Sequence, residues 1–143
     1  TNQQRILQRN YWEWWPGKLQ NDTEWFEYDA QDFYIGKNNI PQALYSGLYW
    51  VTIQVAASSH YSSLWTTLLV EMNPAGNWAL AVGNSVTLEP GVSGVKVAAA
   101  GLMQLRTNTR LYWHFAIRTP DMGSENGWIE LNNMRLSAMY ISN

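Results

Sequence analysis

The sequence contains no cysteine in its 143 residues, which excludes disulfide bonds, cysteine-ligated zinc and thiol chemistry. Charged side chains are also few, at 14%, and they sum to a net charge of −2. Such a chain lacks the basic surface that general nucleic-acid binding requires, so we expect no nucleic-acid partner. No apolar run approaches the roughly 20 residues that cross a membrane as a helix, so we expect no membrane insertion.

Aromatic residues, by contrast, are abundant, with nine tryptophans and eight tyrosines. A core of this size needs fewer, so we expect some of these rings to lie at interfaces, where a rigid ring offers contact area at little entropic cost. The apolar fraction of 46% excludes a disordered chain. The length fits one domain.

Short runs of β-branched and aromatic residues recur along the chain, separated by turn signals such as Pro16-Gly17, Asn21-Asp22 and Gly83-Asn84. No stretch has a convincing helical period. The pattern predicts an all-β fold, an antiparallel β-sandwich or jelly roll. We expect Thr1–Asn10 to be an N-terminal arm or a linker from a stalk, in a chain cut from a longer protein, and residues 11–143 to form the head domain.

The segment from Gly47 to Val55 predicts the central strand of this domain. Side chains alternate along a strand, so its odd-numbered residues from Tyr49 onward share one face, while Trp50, Thr52 and Gln54 share the other. If the first face fills the core, the indole of Trp50 is exposed on a lone subunit. A large exposed ring on a regular strand is usually covered by a partner.

No arrangement in the sequence indicates catalysis. The two histidines, His60 and His114, have no metal-ligand spacing, and no nucleophile elbow or glycine-rich phosphate loop is present. The acid pairs Asp29 with Asp32 and Glu24 with Glu27 fall on opposite faces of a strand. We therefore expect a protein that is not an enzyme and that needs no cofactor or metal.

Aromatic and amide side chains in the loops suggest a second kind of site. A ring can stack on the apolar face of a sugar while neighbouring polar groups hold its hydroxyls. The alternative for most of the tryptophans is packing in the core or between subunits. The candidate ligand-binding residues are Tyr61, Asn77, Trp78, Asp121, Asn126 and Trp128.

Three segments resemble the tumour necrosis factor and complement globular-head superfamily. Ser46–Val55 (SGLYWVTIQV) resembles its central strand, Ala100–Leu111 (AGLMQLRTNTRL) a later strand and turn, and Leu136–Ile141 (LSAMYI) its closing strand. In order and spacing the resemblance covers Asp32–Ser142. Asn108-Thr109 stands where the superfamily usually has Gly-Asp, and Leu136 and Ser137 replace part of its aromatic and glycine signature.

The resemblance implies a ten-stranded jelly roll that forms a threefold trimer. Carried over position by position, it implies that the threefold axis is lined by Trp50, Thr52, Ala98, Ala100 and Arg135. A trimeric head of this kind suits the receptor-binding tip of a phage tail or virion fibre, on the virion surface, recognising a cell-surface glycan or protein. The alternatives are a secreted, extracellular cytokine-like or complement-head-like ligand and a structural capsid or decoration protein.

Overall fold

A computed structural model of the chain describes residues 5–8, 12–15, 26–29, 33–35, 41–75, 77, 80–118 and 127–143. Strands account for most of this part of the chain, and none of it forms a helix that could cross a membrane. The strands are β1 (Arg5–Gln8), β2 (Trp12–Trp15), β3 (Phe26–Asp29), β4 (Phe33–Ile35), β5 (Pro41–Ala43), β6 (Gly47–Ser59), β7 (Thr66–Pro74), β8 (Val82–Leu88), β9 (Val95–Leu105), β10 (Leu111–Arg118) and β11 (Trp128–Ser142).

The strands form two main sheets. One has the order β1-β11-β6-β9, with β3 also pairing to β11, and the other has the order β2-β10-β7-β8. Neighbours in both sheets are antiparallel except β3, which runs parallel to β11. The short strands β4 and β5 form a separate pair. The predicted all-β class is confirmed, and two sheets around a shared core are the arrangement of a β-sandwich.

Alternating side chains of both sheets fill one core. On β6, Tyr49, Val51, Ile53 and Val55 are fully buried, while the residues between them point outward, as the sequence predicts. The second sheet contributes every other residue of β7 and β10, including the fully buried Trp113. Burying a side chain the size of Ile53 stabilises the fold by roughly 1.5–3 kcal/mol, so this alternation holds each strand in register.

Two features of β11 concern its partners and its regularity. Residues Arg5–Gln8, within the segment expected as an arm or linker, pair with β11 of the same chain. Between Asn132 and Arg135 the strand β11 contains a bulge, because three steps along it oppose two on β6. Asn133 takes the extra position with a φ of 55°, which asparagine tolerates better than most residues.

Candidate functional site

The outward side of the β11-β6-β9 part of the first sheet, here called the outer face, carries a row of exposed apolar side chains. Trp50 on β6 lies directly opposite Met139 on β11 and Leu102 on β9. The exposed fractions of these residues are 42%, 59% and 55%. A row of three large apolar side chains across three strands is a continuous surface rather than scattered exposure.

This row lies toward one end of the outer face. Ile141, two residues after Met139, is also exposed and lies where the register of β11 against β6 shifts. We call Trp50, Leu102 and Met139 the apolar end. Exposed apolar patches of this kind mark places where another surface docks.

The middle of the outer face is small and polar. The next row contains Ser137, Thr52 and Ala100, and the hydroxyls of Ser137 and Thr52 hydrogen-bond to each other. Alanine side chains on β9 leave room for close approach of another chain. The structure places all five residues expected at the threefold axis on this face, in three consecutive rows: Trp50, Thr52, Ala98, Ala100 and Arg135.

The opposite end of the same face is polar and held together by specific contacts. His60, just after β6, stacks on the Trp128 indole with ring centroids 4.7 Å apart and an angle of 16° between the rings. The His60 backbone N–H donates to the Trp128 carbonyl at 2.9 Å. Its Nε2 lies 3.5 Å from Glu130 Oε2, and Asn132 Nδ2 donates to Glu130 Oε1 at 3.2 Å. We call His60, Trp128, Glu130 and Asn132 the polar end.

A pocket of about 340 Å³ opens beside the polar end, between the β6–β7 and β8–β9 connections. These connections are tied together by hydrogen bonds from Ser59 N to the Val92 carbonyl at 2.8 Å and from Gly94 N to Ser58 Oγ at 2.9 Å. The pocket is therefore formed by fixed loops. Its polar lining comes from Ser58, Ser59, His60, Ser62, Ser93 and Glu130.

The loop residues expected to bind a ligand do not form one cluster. Trp128 lies at the polar end with 38% of its surface exposed. Tyr61 lines the adjacent pocket and is only 1% exposed. Asn77 follows β7 and lies at the far end of the sandwich. Trp78, Asp121 and Asn126 lie outside the described residues.

His60 and Glu130 were not predicted as site residues from the sequence. They come from segments that are distant in sequence and are brought together by the pairing of β6 with β11. The one local signal is the spacing of Trp128, Glu130 and Asn132, which puts three polar or aromatic side chains on one face of a strand.

The second histidine has a different setting. His114 on β10 is fully buried, and its Nδ1 lies 3.5 Å from Glu71 Oε1 on β7, its direct partner in the register. Burial lowers the pKa of His114 to about 4, and burial also raises the pKa of Glu71. His114 is therefore neutral at pH 7 and is closed to a ligand, so this pair is structural.

The scan of protein-family models finds no match to this chain, and neither does the search of curated protein sequences. Among solved structures, the chain is similar to Eiger TNF from S. frugiperda. The match has 13% sequence identity over 71% of this chain and 68% of that chain, with a TM-score of 0.35. At that identity and TM-score, the similarity does not assign the chain to a family.

Proposed function

We propose that this chain is the head domain of a homotrimeric binding protein without catalytic activity. Its role is host attachment at the tip of a phage tail or virion fibre, where it recognises a cell-surface glycan or protein. The observation that carries the proposal is the exposed row of Met139, Trp50 and Leu102 on the outer face. Leaving three such side chains in water is unfavourable, and covering them with copies of the same surface removes that cost.

The topology supports a jelly roll as the finer description of the fold. From β6 to β11 the chain crosses between sheets at every connection except the β7–β8 hairpin. Such crossings place strands that are distant in sequence side by side, as Greek-key connections do. The resemblance of Ser46–Val55 and Ala100–Leu111 to the tumour necrosis factor and complement superfamily favours three copies over two.

A trimer gives a binding head a physical advantage. Three identical sites on one rigid body can engage neighbouring receptors at once, so weak individual contacts add up to firm attachment. Small side chains in the middle of the outer face allow the copies to approach, and the apolar end supplies the desolvated contact. The proposed trimer needs both parts of the outer face: an apolar part that the copies bury against each other, and a part with small side chains that lets them come close.

Sedimentation velocity over a concentration series tests the assembly. The wild type is expected to sediment as a trimer, and Trp50→Asp as a folded monomer, because a carboxylate on the contact face must otherwise be buried. The matched control is Trp65→Asp, since Trp65 is exposed to a similar extent but lies before β7, outside the outer face. Circular dichroism checks that each variant is folded.

A wild-type chain that stays monomeric at high concentration would overturn the proposal, and so would a Trp50→Asp variant that remains a trimer. Binding of fluorescent trimers to whole bacterial cells tests the fibre-tip role. Trimers that bind no cell but polymerise into shells would contradict that role and favour a structural protein. Trimers that bind a purified animal receptor and no bacterial cell would also contradict the fibre-tip role, and would favour a secreted ligand.

A further inference from the structure

We infer that the pocket beside the polar end binds a neutral glycan through a sugar ring with vicinal hydroxyls. The setting of this inference in host attachment rests on the proposed function, but binding itself needs only one folded subunit. Four features of the pocket carry it: an oriented carboxylate, buried serine hydroxyls, a described lining without lysine or arginine, and a neighbouring indole.

The carboxylate of Glu130 is positioned to accept hydrogen bonds from a ligand. Asn132 Nδ2 donates to one oxygen at 3.2 Å, and His60 Nε2 lies 3.5 Å from the other. A carboxylate has about four lone-pair positions, so each oxygen keeps one for a further donor. Two adjacent hydroxyls on a sugar ring have the spacing to bind both oxygens of a carboxylate at once.

Two serines at the base of the pocket supply fixed hydroxyls. Ser58 Oγ accepts from Gly94 N at 2.9 Å, and Ser59 Oγ accepts from Tyr61 N at 3.3 Å. Both residues are buried. Because each oxygen is used as an acceptor by the backbone, its O–H proton is directed elsewhere and can donate to a ligand oxygen. A ligand with both donors and acceptors, such as a sugar hydroxyl, matches this arrangement.

The charge of the lining excludes an anionic ligand. No lysine or arginine is among the described residues that line the pocket. Phosphate or sulfate groups bind where arginine, lysine or several backbone N–H groups converge, and the Glu130 carboxylate repels them. A neutral polar ligand is therefore favoured over a phosphorylated or sulfated one.

The indole of Trp128 supplies an apolar surface next to these polar groups. His60 covers one side of the ring, so the exposed area lies on the other side and along the edges. A pyranose presents a face of C–H groups that stacks on such a surface. The ring is rigidly held, because Tyr61 packs beneath Gly127 and the His60 backbone is tied to the Trp128 carbonyl. A preorganised site loses little entropy on binding.

The pocket stays open in the proposed trimer. The three rows expected at the threefold axis end at Gln54, and Ser58 is four residues further along β6, which corresponds to about 13 Å along a strand. A contact at the apolar end and in the middle of the face therefore leaves the pocket free, and each trimer carries three copies of it.

Titration by NMR, which follows the Trp128 indole N–H and the backbone amides of the 15N-labelled chain, tests this inference. The probes are the methyl glycosides of glucose, galactose, mannose and N-acetylglucosamine. At least one is expected to shift the Trp128 and His60 signals in a saturable way, while sodium phosphate does not. Glu130→Gln should raise the Kd about tenfold, since a charge-assisted hydrogen bond becomes a neutral one.

The matched control is Glu89→Gln, because Glu89 is exposed in the adjacent loop and does not line the pocket. It should leave the Kd within about twofold, as expected for a surface charge. Trp128→Ala should abolish binding and Trp65→Ala should not, with the spectrum of each variant checking its fold. No saturable shift with any of the four glycosides, or equal losses from both glutamate variants, would overturn the inference.

The two proposals fail separately. Sugar binding by a wild type that is monomeric would sustain the pocket and reject the trimeric head. A trimer without sugar binding would reject the pocket and leave a protein receptor for the head domain.

Discussion

The two ends of the outer face are built from the same strands but present different surfaces. At the apolar end, Met139, Trp50 and Leu102 stand side by side with large exposed areas. At the polar end, His60 stacks on Trp128 and lies 3.5 Å from Glu130, which accepts a hydrogen bond from Asn132. An apolar surface without fixed polar groups suits another protein surface, whereas oriented polar groups beside a pocket suit a small hydroxylated ligand.

The two half-exposed tryptophans of this face differ in their neighbours. Trp50 and Trp128 are exposed to similar extents and point to the same side of the sheet. Trp50 lies between aliphatic side chains, while Trp128 lies against an imidazole and near a carboxylate. The neighbours of an exposed ring, and not its exposure, distinguish a subunit contact from a ligand platform.

The largest loss of folding stability is expected when a glycine in close contact with its neighbours is replaced by alanine. A Cβ at Gly47 would overlap the Ser142 carbonyl and lie 2.6 Å from the Tyr140 ring, whereas one at Gly91 meets nothing within 4 Å. Gly47→Ala should lower the free energy of unfolding by at least about 3 kcal/mol, because backbone must move. Gly91→Ala should cost about 1 kcal/mol, from its positive φ alone. Urea denaturation measures both.

Gly127 is the corresponding glycine at the polar end, where an added Cβ would overlap the ring of Tyr61. Gly127→Ala should cost about 2 kcal/mol, since a buried ring can shift more easily than backbone. It should also weaken sugar binding and leave the trimer intact, while Gly47→Ala should impair assembly. Losses of assembly from both variants would show that the two ends are not independent.

The next effect separates the two histidines. Burial lowers the pKa of His114 to about 4, from an ordinary value of 6.5. As pH falls from 6.5 to about 4, the unfolded chain binds the proton before the folded chain does. The free energy of unfolding should therefore fall by up to about 3 kcal/mol. Glu71 acts in the opposite sense, because its raised pKa costs stability as pH rises above 4.5.

Urea denaturation between pH 7 and pH 4 checks this prediction. In His114→Gln, the fall in the free energy of unfolding between pH 7 and pH 4 should become smaller. In His60→Gln, a variant at the exposed polar end, this fall should be the same as in the wild type. If the pH dependence of stability were lost in His60→Gln, the titrating group would be His60 on the outer face and not His114 in the second sheet.

A matched pair of charge substitutions on β9 compares the two ends directly. Leu102 and Lys96 lie on the same strand and the same face, beside Trp50 and Ala56 respectively. Leu102→Asp should raise the concentration at which trimers dissociate by at least about 100-fold, because it places a carboxylate in the contact. Lys96→Asp should change it less than about threefold. Sedimentation equilibrium provides the measurement, and equal effects would extend the contact over the whole face.

The smallest effect is expected between the two ends. The Thr52 and Ser137 hydroxyls hydrogen-bond across the middle of the face. A double-mutant cycle with Thr52→Val and Ser137→Ala should give a coupling energy of about 1 kcal/mol in unfolding. Sugar binding by these variants should match the wild type. A coupling near zero would mean that this pair does not contribute to stability.

Parts of the fold and of the surface follow from local patterns. The alternation in Gly47–Val55 predicted both the buried side and the exposed Trp50, because the period of a strand is two residues. The pairing of Arg5–Gln8 with β11 was not predictable in this way, since a short polar segment carries no pattern that names its partner. The polar end was missed for the same reason, because His60 and Glu130 meet only through strand pairing.

The all-β class and the inward side of β6 follow from local sequence, because both depend on the alternation of neighbouring residues. That Met139 and Leu102 flank Trp50, and that Glu130 lies beside His60, depends on how the strands pair in the folded chain. No local pattern contains this information, because strand register is set by the packing of the whole core. A shift of one residue would turn every outward side chain inward.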